Sequence, residues 1–159
     1  MDSIDWCLKQ KKGIKKIEPS KNTSHSYLYM AEESILALSN LEKSKIWAAT
    51  SAYYIFYYSL YSLMLRIGVK SEIHACSIEF MKRYLTEFYN LKDMEMISKA
   101  CNTRINLQYY SDRPVNEEDL NEIKAYCKDF YIKTKENVIK ITEEQINIIR
   151  ERIKAKAVH

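Results

Sequence analysis

Apolar residues recur at steps of three and four along most of this chain, the spacing that gathers them on one face of an α-helix. Turn residues such as Pro19, Gly68 and Pro114 separate the helical stretches. The pattern predicts helices, in chain order, at residues 4–10, 23–40, 46–65, 78–85, 92–109 and 116–131. The capping-box pattern from Thr142 to Gln145 predicts a terminal segment that is either a new helix or a kinked continuation.

The stretch 46–65 carries no charged residue over twenty positions and is long enough to cross a bilayer. Its tyrosines lie in the middle of the run, whereas the tyrosines of membrane helices gather at the two interfaces. They are Tyr53, Tyr54, Tyr57, Tyr58 and Tyr61. We therefore expect no membrane span but a helix at the centre of a bundle, with buried phenols in hydrogen bonds and some surface available to a dimer contact.

The composition favours an all-α fold. Two glycines and two prolines in 159 residues are too few for the many turns of a β-sandwich or barrel. The length and the hydrophobic content of 47% suit one core, so residues 1–159 are predicted to form a single domain. No glycine-rich phosphate loop and no metal-binding motif is present, and neither a cofactor nor a metal is predicted.

The four cysteines lie far apart, without a C-x-x-C pair or a cysteine–histidine cluster of the kind that binds zinc. We expect reduced thiols that act mainly as packing groups. The first residues are acidic and are followed by lysines rather than by an apolar stretch. This start predicts the absence of a secretory signal and a cytoplasmic protein.

The net charge of +4 allows only weak attraction to nucleic acid. Five lysines cluster near the amino terminus: Lys9, Lys11, Lys12, Lys15 and Lys16. This lysine cluster is either a solvated face or a surface that contacts phosphate. In the second case it could bind single-stranded nucleic acid together with the tyrosine-rich helix, through base stacking, unless the tyrosines are buried.

Eight short features follow one another in an order that resembles one protein family. They are Trp6-Cys7, Gly13-Ile14, Ala31-Glu32-Glu33, Ala52-Tyr53-Tyr54, Gly68, His74, Arg104 and Tyr109. Over most of residues 5–140 the chain resembles the HEPN family, especially its small stand-alone archaeal and bacterial members. The resemblance implies an antiparallel, up-and-down bundle of four or five helices with an extra C-terminal helix, paired as a homodimer.

The resemblance also implies a function. Many similar proteins work beside a minimal nucleotidyltransferase in two-component, toxin–antitoxin-like systems. The chain is therefore expected to be the helical partner of such an enzyme, with nucleotide or RNA as a further ligand. The alternative is a dimeric endoribonuclease that needs no metal.

The candidate site residues are Arg104, Tyr109 and His74. In active members of the family, an arginine and a histidine about four to six residues apart on one helix meet their copies across the dimer axis and cleave RNA. Arg104 matches the arginine, but Tyr109 stands where the histidine is expected. Tyrosine, with a reference pKa of about 10, exchanges protons poorly near neutral pH.

This departure favours the binding module over the ribonuclease. Arg104 and Tyr109 are the predicted ligand-binding residues, and both, with His74 as a further candidate, are considered for catalysis. A structural role for Arg104, bridging helices through its five donors, stays open.

Overall fold

A computed structural model describes residues 3–41, 43–110 and 112–156. The helices of this part of the chain are α1 (Ser3–Lys9), α2 (Lys21–Ser39), α3 (Lys45–Ile67), α4 (His74–Tyr84), α5 (Leu91–Tyr109), α6 (Glu117–Lys140) and α7 (Glu143–Lys156). The short strands β1 (Lys15–Lys16) and β2 (Val69–Lys70) pair in antiparallel orientation. The all-α helical bundle is confirmed, whereas the small sheet is an element that the periodicity does not predict.

The uncharged stretch forms α3, which lies at the centre of the bundle and contacts α2, α4, α5, α6 and α7. Ser44 begins the helix, because its side chain accepts a hydrogen bond from the backbone N–H of Trp47. Gly68 ends it with a φ of 82°, in the left-handed region that favours glycine. In the part of the chain that the structure describes, no helix has the length and apolar character needed to cross a membrane.

The tyrosines of α3 divide into two groups. Tyr53, Tyr57 and Tyr61 are buried, and Tyr54 and Tyr58 are half-buried. The buried phenols have partners as expected: the Tyr61 hydroxyl accepts from the backbone N–H of residue 71 at 3.2 Å, and the Tyr53 hydroxyl lies 2.8 Å from a histidine nitrogen. The tyrosine surface for stacking nucleic-acid bases on this helix is therefore limited to the half-buried pair.

The terminal segment is a new helix, which settles the choice that the sequence leaves open. The backbone N–H of Gln145 donates to the Thr142 hydroxyl, and the Gln145 side chain accepts from the Thr142 backbone, so the predicted capping box begins α7. Arg150 of α7 reaches back to the end of α3. Its Nη1 donates to the carbonyls of Ile17, Ile67 and Gly68 at 2.9, 3.1 and 2.7 Å. The C-terminal end of α3 also favours a cation, because the helix dipole is negative there.

Cys7 of α1 and Cys76 of α4 form a disulfide, with Cα atoms 5.5 Å apart. The prediction of reduced thiols is wrong for this pair, although Cys101 and Cys127 are free. Spacing could not reveal the pairing, because 69 positions separate the two cysteines and only the packing of α1 beside α4 brings them together. Since structural disulfides are typical of oxidising environments, the pair gives no support to the predicted cytoplasmic location.

Candidate functional site

Arg104 of α5 lies against the aromatic side chains of α3. Its guanidinium carbon is 4.7 Å from the centre of the Tyr53 ring and 5.6 Å from that of Tyr54. Nη1 donates to the Tyr54 hydroxyl at 3.4 Å, a long hydrogen bond. Nε is buried without a hydrogen-bond partner, and among the described residues Arg104 forms no ion pair with a carboxylate. The guanidinium therefore keeps unused donor capacity.

His74, the first residue of α4, lies on the same aromatic surface. Its Nδ1 is 2.8 Å from the Tyr53 hydroxyl, and its ring stacks on Tyr57 with centroids 3.9 Å apart. Burial, and then the positive charge of Arg104, hold the pKa of His74 below its usual 6.5. His74 is therefore neutral at pH 7, and the fold brings it together with Arg104 through Tyr53.

Burial keeps the other groups of this cluster protonated. The pKa values of Tyr53 and Tyr57 are raised well above 10, chiefly because their phenols are buried. Burial also raises the pKa of the Cys101 thiol, which lies near Tyr53 and Arg104. None of these three groups is a ready base near neutral pH, which leaves His74 as the proton acceptor of the cluster.

Tyr109 does not join this cluster. It lies at the last position of α5 and is 68% exposed. Five residues along an α-helix correspond to a rotation of about 140° from Arg104. The side chains of Arg104 and Tyr109 therefore leave α5 on different faces.

A groove about 390 Å³ in volume runs beside the cluster, between α2 and α3. Tyr54 lines the groove and also accepts the hydrogen bond from Arg104. One turn further along α5, the side-chain amide of Gln108 donates to the hydroxyl of Thr50, another residue of the groove, at 2.8 Å. Two residues of α5 thus donate hydrogen bonds to residues that line the groove.

Two members of the lysine cluster lie away from Arg104. Lys15 and Lys16 form β1 beside the end of α3, which is about 20 Å along the helix axis from Tyr54. Lys12 pairs with Glu72 at 3.4 Å, and the Lys16 ammonium donates to the carbonyl of residue 150. These contacts favour the structural and solvated roles of the cluster over a shared phosphate site with Arg104.

The acidic residues do not form a metal site, since the described residues contain no group of three or more histidine, cysteine or acidic side chains placed to hold an ion. Glu32 is half-buried. It accepts from the Tyr131 hydroxyl and from Lys135 at 2.9 Å, and these two hydrogen bonds lower its pKa. Glu33, the next residue, is exposed and lines the groove.

No protein-family model, curated protein or solved structure matches this chain. The resemblance to the HEPN family therefore rests on the residues quoted for it, and the case for a function rests on the arrangement around Arg104.

Sequence reasoning missed the aromatic partners of Arg104 as members of the site. Tyr53 and Tyr54 were available as part of the Ala-Tyr-Tyr motif, but a run of tyrosines in an uncharged helix indicates core packing first. A usable signal was the spacing shared by two helices: Thr50 and Tyr54 on α3, and Arg104 and Gln108 on α5, each one turn apart. Polar pairs with equal spacing on neighbouring helices can form matching contacts.

Proposed function

We propose that this chain is a binding module, the HEPN-like helical partner of a minimal nucleotidyltransferase, and that it holds a phosphate-bearing ligand at Arg104. The observation that carries the proposal is a guanidinium set on two tyrosine rings without a carboxylate partner among the described residues. A structural arginine at this depth is usually paired with a carboxylate or carbonyl, as Arg66 is with Glu143 and Arg150 is with three carbonyls.

The chemistry of the guanidinium supports phosphate as the ligand. Arginine presents planar, paired donors that match phosphate oxygens, and hydrogen bonds between charged groups are stronger than neutral ones. Stacking on Tyr53 and Tyr54 fixes the plane of the guanidinium before a ligand arrives, which reduces the entropy lost on binding. Burial raises the pKa of the Tyr53 phenol, which therefore adds no negative charge that would repel an anion.

Replacement of Arg104 by alanine is expected to weaken the binding of pyrophosphate by about 10- to 100-fold, the loss of one or two charged hydrogen bonds. Isothermal titration calorimetry measures this change. Arg104→Lys keeps the charge but loses the paired donors, so its affinity should lie between those of the wild type and Arg104→Ala.

Arg113 offers a matched control, because its guanidinium carbon also lies over a tyrosine, 3.7 Å from the centre of the Tyr110 ring, outside the cluster. Arg113→Ala should leave pyrophosphate affinity unchanged. Urea unfolding of each variant separates binding from folding. If Arg104→Ala lowers stability and affinity in proportion, Arg104 is a structural residue and the phosphate site is refuted.

The partner half of the proposal has its own test. The tagged protein, purified from its native cells, should recover a minimal nucleotidyltransferase that mass spectrometry identifies, and the two purified proteins should then form a complex of fixed stoichiometry. Size-exclusion chromatography with light scattering reports both this complex and the proposed homodimer. Failure of the purified pair to associate contradicts the partner assignment. The proposal of a phosphate site at Arg104 does not depend on this result.

A second candidate function, the metal-independent endoribonuclease, is favoured by one observation: neutral His74 shares Tyr53 with Arg104. When Nδ1 carries the proton and donates to the Tyr53 oxygen, Nε2 is left as an acceptor. Arg104 would then hold the scissile phosphate while His74 takes a proton from the attacking 2′-hydroxyl. The 2′-oxygen bonds to phosphorus as the bond to the 5′-oxygen breaks, and the leaving 5′-oxygen takes a proton from water. In this arrangement the candidate catalytic pair is Arg104 of α5 with His74 of α4, instead of Arg104 with Tyr109 of the same helix.

If the chain cleaves RNA, cleavage should persist in the presence of a chelator and disappear in both His74→Gln and Arg104→Ala. Because the base must be neutral and its pKa lies below 6.5, activity should be retained at pH 7 and lost as the pH falls through that lower value. Cleavage of labelled RNA between about pH 5 and pH 8 measures the profile. His25→Gln, at an exposed histidine of α2, is the control that should change nothing.

A further inference from the structure

A second groove, about 320 Å³ in volume, lies between α2 and α6. It is lined by His25, Leu28, Tyr29, Glu32, Lys135 and Ile139. Residues near the start of α2 meet residues near the end of α6 along this groove, so the two helices run antiparallel. None of these lining residues belongs to α4 or α5, which carry His74 and Arg104.

Four exposed apolar side chains lie along the two helices of this groove. They are Tyr29 and Leu36 of α2, and Ile132 and Ile139 of α6, with exposed fractions of 61, 61, 45 and 69%. The two residues on each helix are seven positions apart, so they share one face of that helix. Single exposed apolar residues are ordinary on a protein surface, whereas an aligned set is typical of a contact with another molecule. We call these residues and the groove between them the α2–α6 face.

The apolar residues of the α2–α6 face stand at two levels, with an ion pair between them. At the first level Tyr29 and Ile139 line the groove from its two sides. At the second level Glu32 accepts from the Lys135 ammonium at 2.9 Å. Because the helices are antiparallel, the other two apolar residues follow together at a third level, about 10 Å from the first along the helix axes.

We infer that the α2–α6 face binds a second copy of the chain about a twofold axis that runs along the groove, parallel to the two helices. In this arrangement α2 of each protomer packs against α6 of its partner. Glu32 then lies opposite the other protomer's Lys135. Each apolar residue of α2 lies opposite an apolar residue of α6, at the first and the third level. The inference rests on the proposed homodimer and names its contact surface.

Charge selects both the occupant and the direction of the axis. The face suits an occupant that has a carboxylate and an ammonium at one level, between two apolar levels, and the chain itself presents this pattern. An axis along the groove brings each Glu32 to the Lys135 of the other protomer. An axis across the helices would instead bring Glu32 to Glu32 and Lys135 to Lys135, and like charges in contact weaken an interface. The first arrangement therefore satisfies the apolar levels and the charged level together.

A dimer of this kind leaves each Arg104 site within one protomer, because α5 contributes no residue to the lining of the groove. Disruption of the α2–α6 face should therefore leave the affinity for pyrophosphate unchanged, as measured by isothermal titration calorimetry. The phosphate site and the dimer contact can thus be tested independently.

A carboxylate introduced at an apolar level should break the contact. Leu36→Glu and Ile139→Glu are each expected to raise the dissociation constant of the dimer by at least about tenfold, because the new charge is buried without a partner. Leu91→Glu is the matched control, since Leu91 is 85% exposed at the start of α5, outside the face, and it should change nothing. Sedimentation velocity over a concentration series measures the constants, and circular dichroism verifies that the variants are folded.

Exchange of the two charges tests the axis. Glu32→Lys and Lys135→Glu each place like charges at both central contacts, so each variant alone should dimerise at least about tenfold more weakly than the wild type. A mixture of the two variants restores opposite charges at both contacts and should form a heterodimer. Both variants also lose the ion pair within their own chain. Mixing does not repair that loss, so recovery in the mixture reports the contact between copies.

The outcomes separate this inference from the proposed function. If the wild type is dimeric and neither Leu36→Glu nor Ile139→Glu weakens the dimer, the contact lies elsewhere and the inference is overturned while the proposed homodimer stands. If the wild type is monomeric at every concentration, the homodimer and the inference are both refuted. If the two variants abolish only the complex with the nucleotidyltransferase, the face docks that partner and the inference is wrong.

Discussion

Reduction of the disulfide between Cys7 and Cys76 is expected to lower the free energy of unfolding by about 4 kcal/mol. The bond closes a long loop, with 69 positions between its cysteines, so it removes much conformational freedom from the unfolded chain. The helix it anchors is short: α1 has seven residues, too few to be stable without tertiary contacts. Urea unfolding followed by circular dichroism, with and without a reducing agent, measures the difference.

The free thiols provide the control. A variant with Cys101→Ala and Cys127→Ala retains only the disulfide pair, so exchange between alternative cysteines is excluded and the response to reductant should remain. A thiol assay must confirm that the buried bond has been reduced in the samples compared. Unchanged unfolding midpoints after confirmed reduction would contradict the prediction and show that α1 packing alone holds the segment in place.

Asp93→Ala is expected to lower the free energy of unfolding by about 3 kcal/mol. Asp93 is fully buried, and its carboxylate accepts from the Tyr126 hydroxyl at 2.8 Å and from the Lys133 ammonium at 2.9 and 2.7 Å. It also accepts from the backbone N–H of Asn90 at 2.8 Å, as part of the capping box that begins α5. The variant thus loses an ion pair, a phenol contact and a helix cap together.

Glu122 provides a matched acidic control, because it also accepts from two charged side chains, Lys92 and Lys99, but on the surface. Solvent weakens these pairs, so Glu122→Ala should change stability little. Both variants are compared by urea unfolding at the same ionic strength. Similar losses for the two would show that burial does not strengthen the Asp93 contacts, against the expectation.

Much of the fold could be predicted because helix signals are local. The glycine after α3 and the capping box of α7 are each read within a few residues, and each acts in the structure as the sequence indicates. The disulfide and the pairing of β1 with β2 could not be predicted in this way. Both join segments more than fifty positions apart, so they depend on how the helices pack rather than on local pattern.

The candidate site could be predicted only in part, for a related reason. Arg104 and His74 were chosen for their chemistry, and the fold does bring both to the Tyr53 ring. Tyr109 was chosen by its distance from Arg104 along the chain, and the structure places it at the exposed end of α5, on a different face of that helix. Distances along one helix follow from the sequence, whereas contacts between α3, α4 and α5 require the three-dimensional arrangement.

The central position of α3 also has an evolutionary consequence. Sixteen of its 23 residues are buried, and five other helices pack on it, so most substitutions there disturb several interfaces at once. The exceptions are concentrated on the groove side, at positions such as Trp47, Thr50 and Ser51. Descendants of this chain could therefore change the shape and chemistry of the groove through a few residues of the helix while the rest of the same helix preserves the fold.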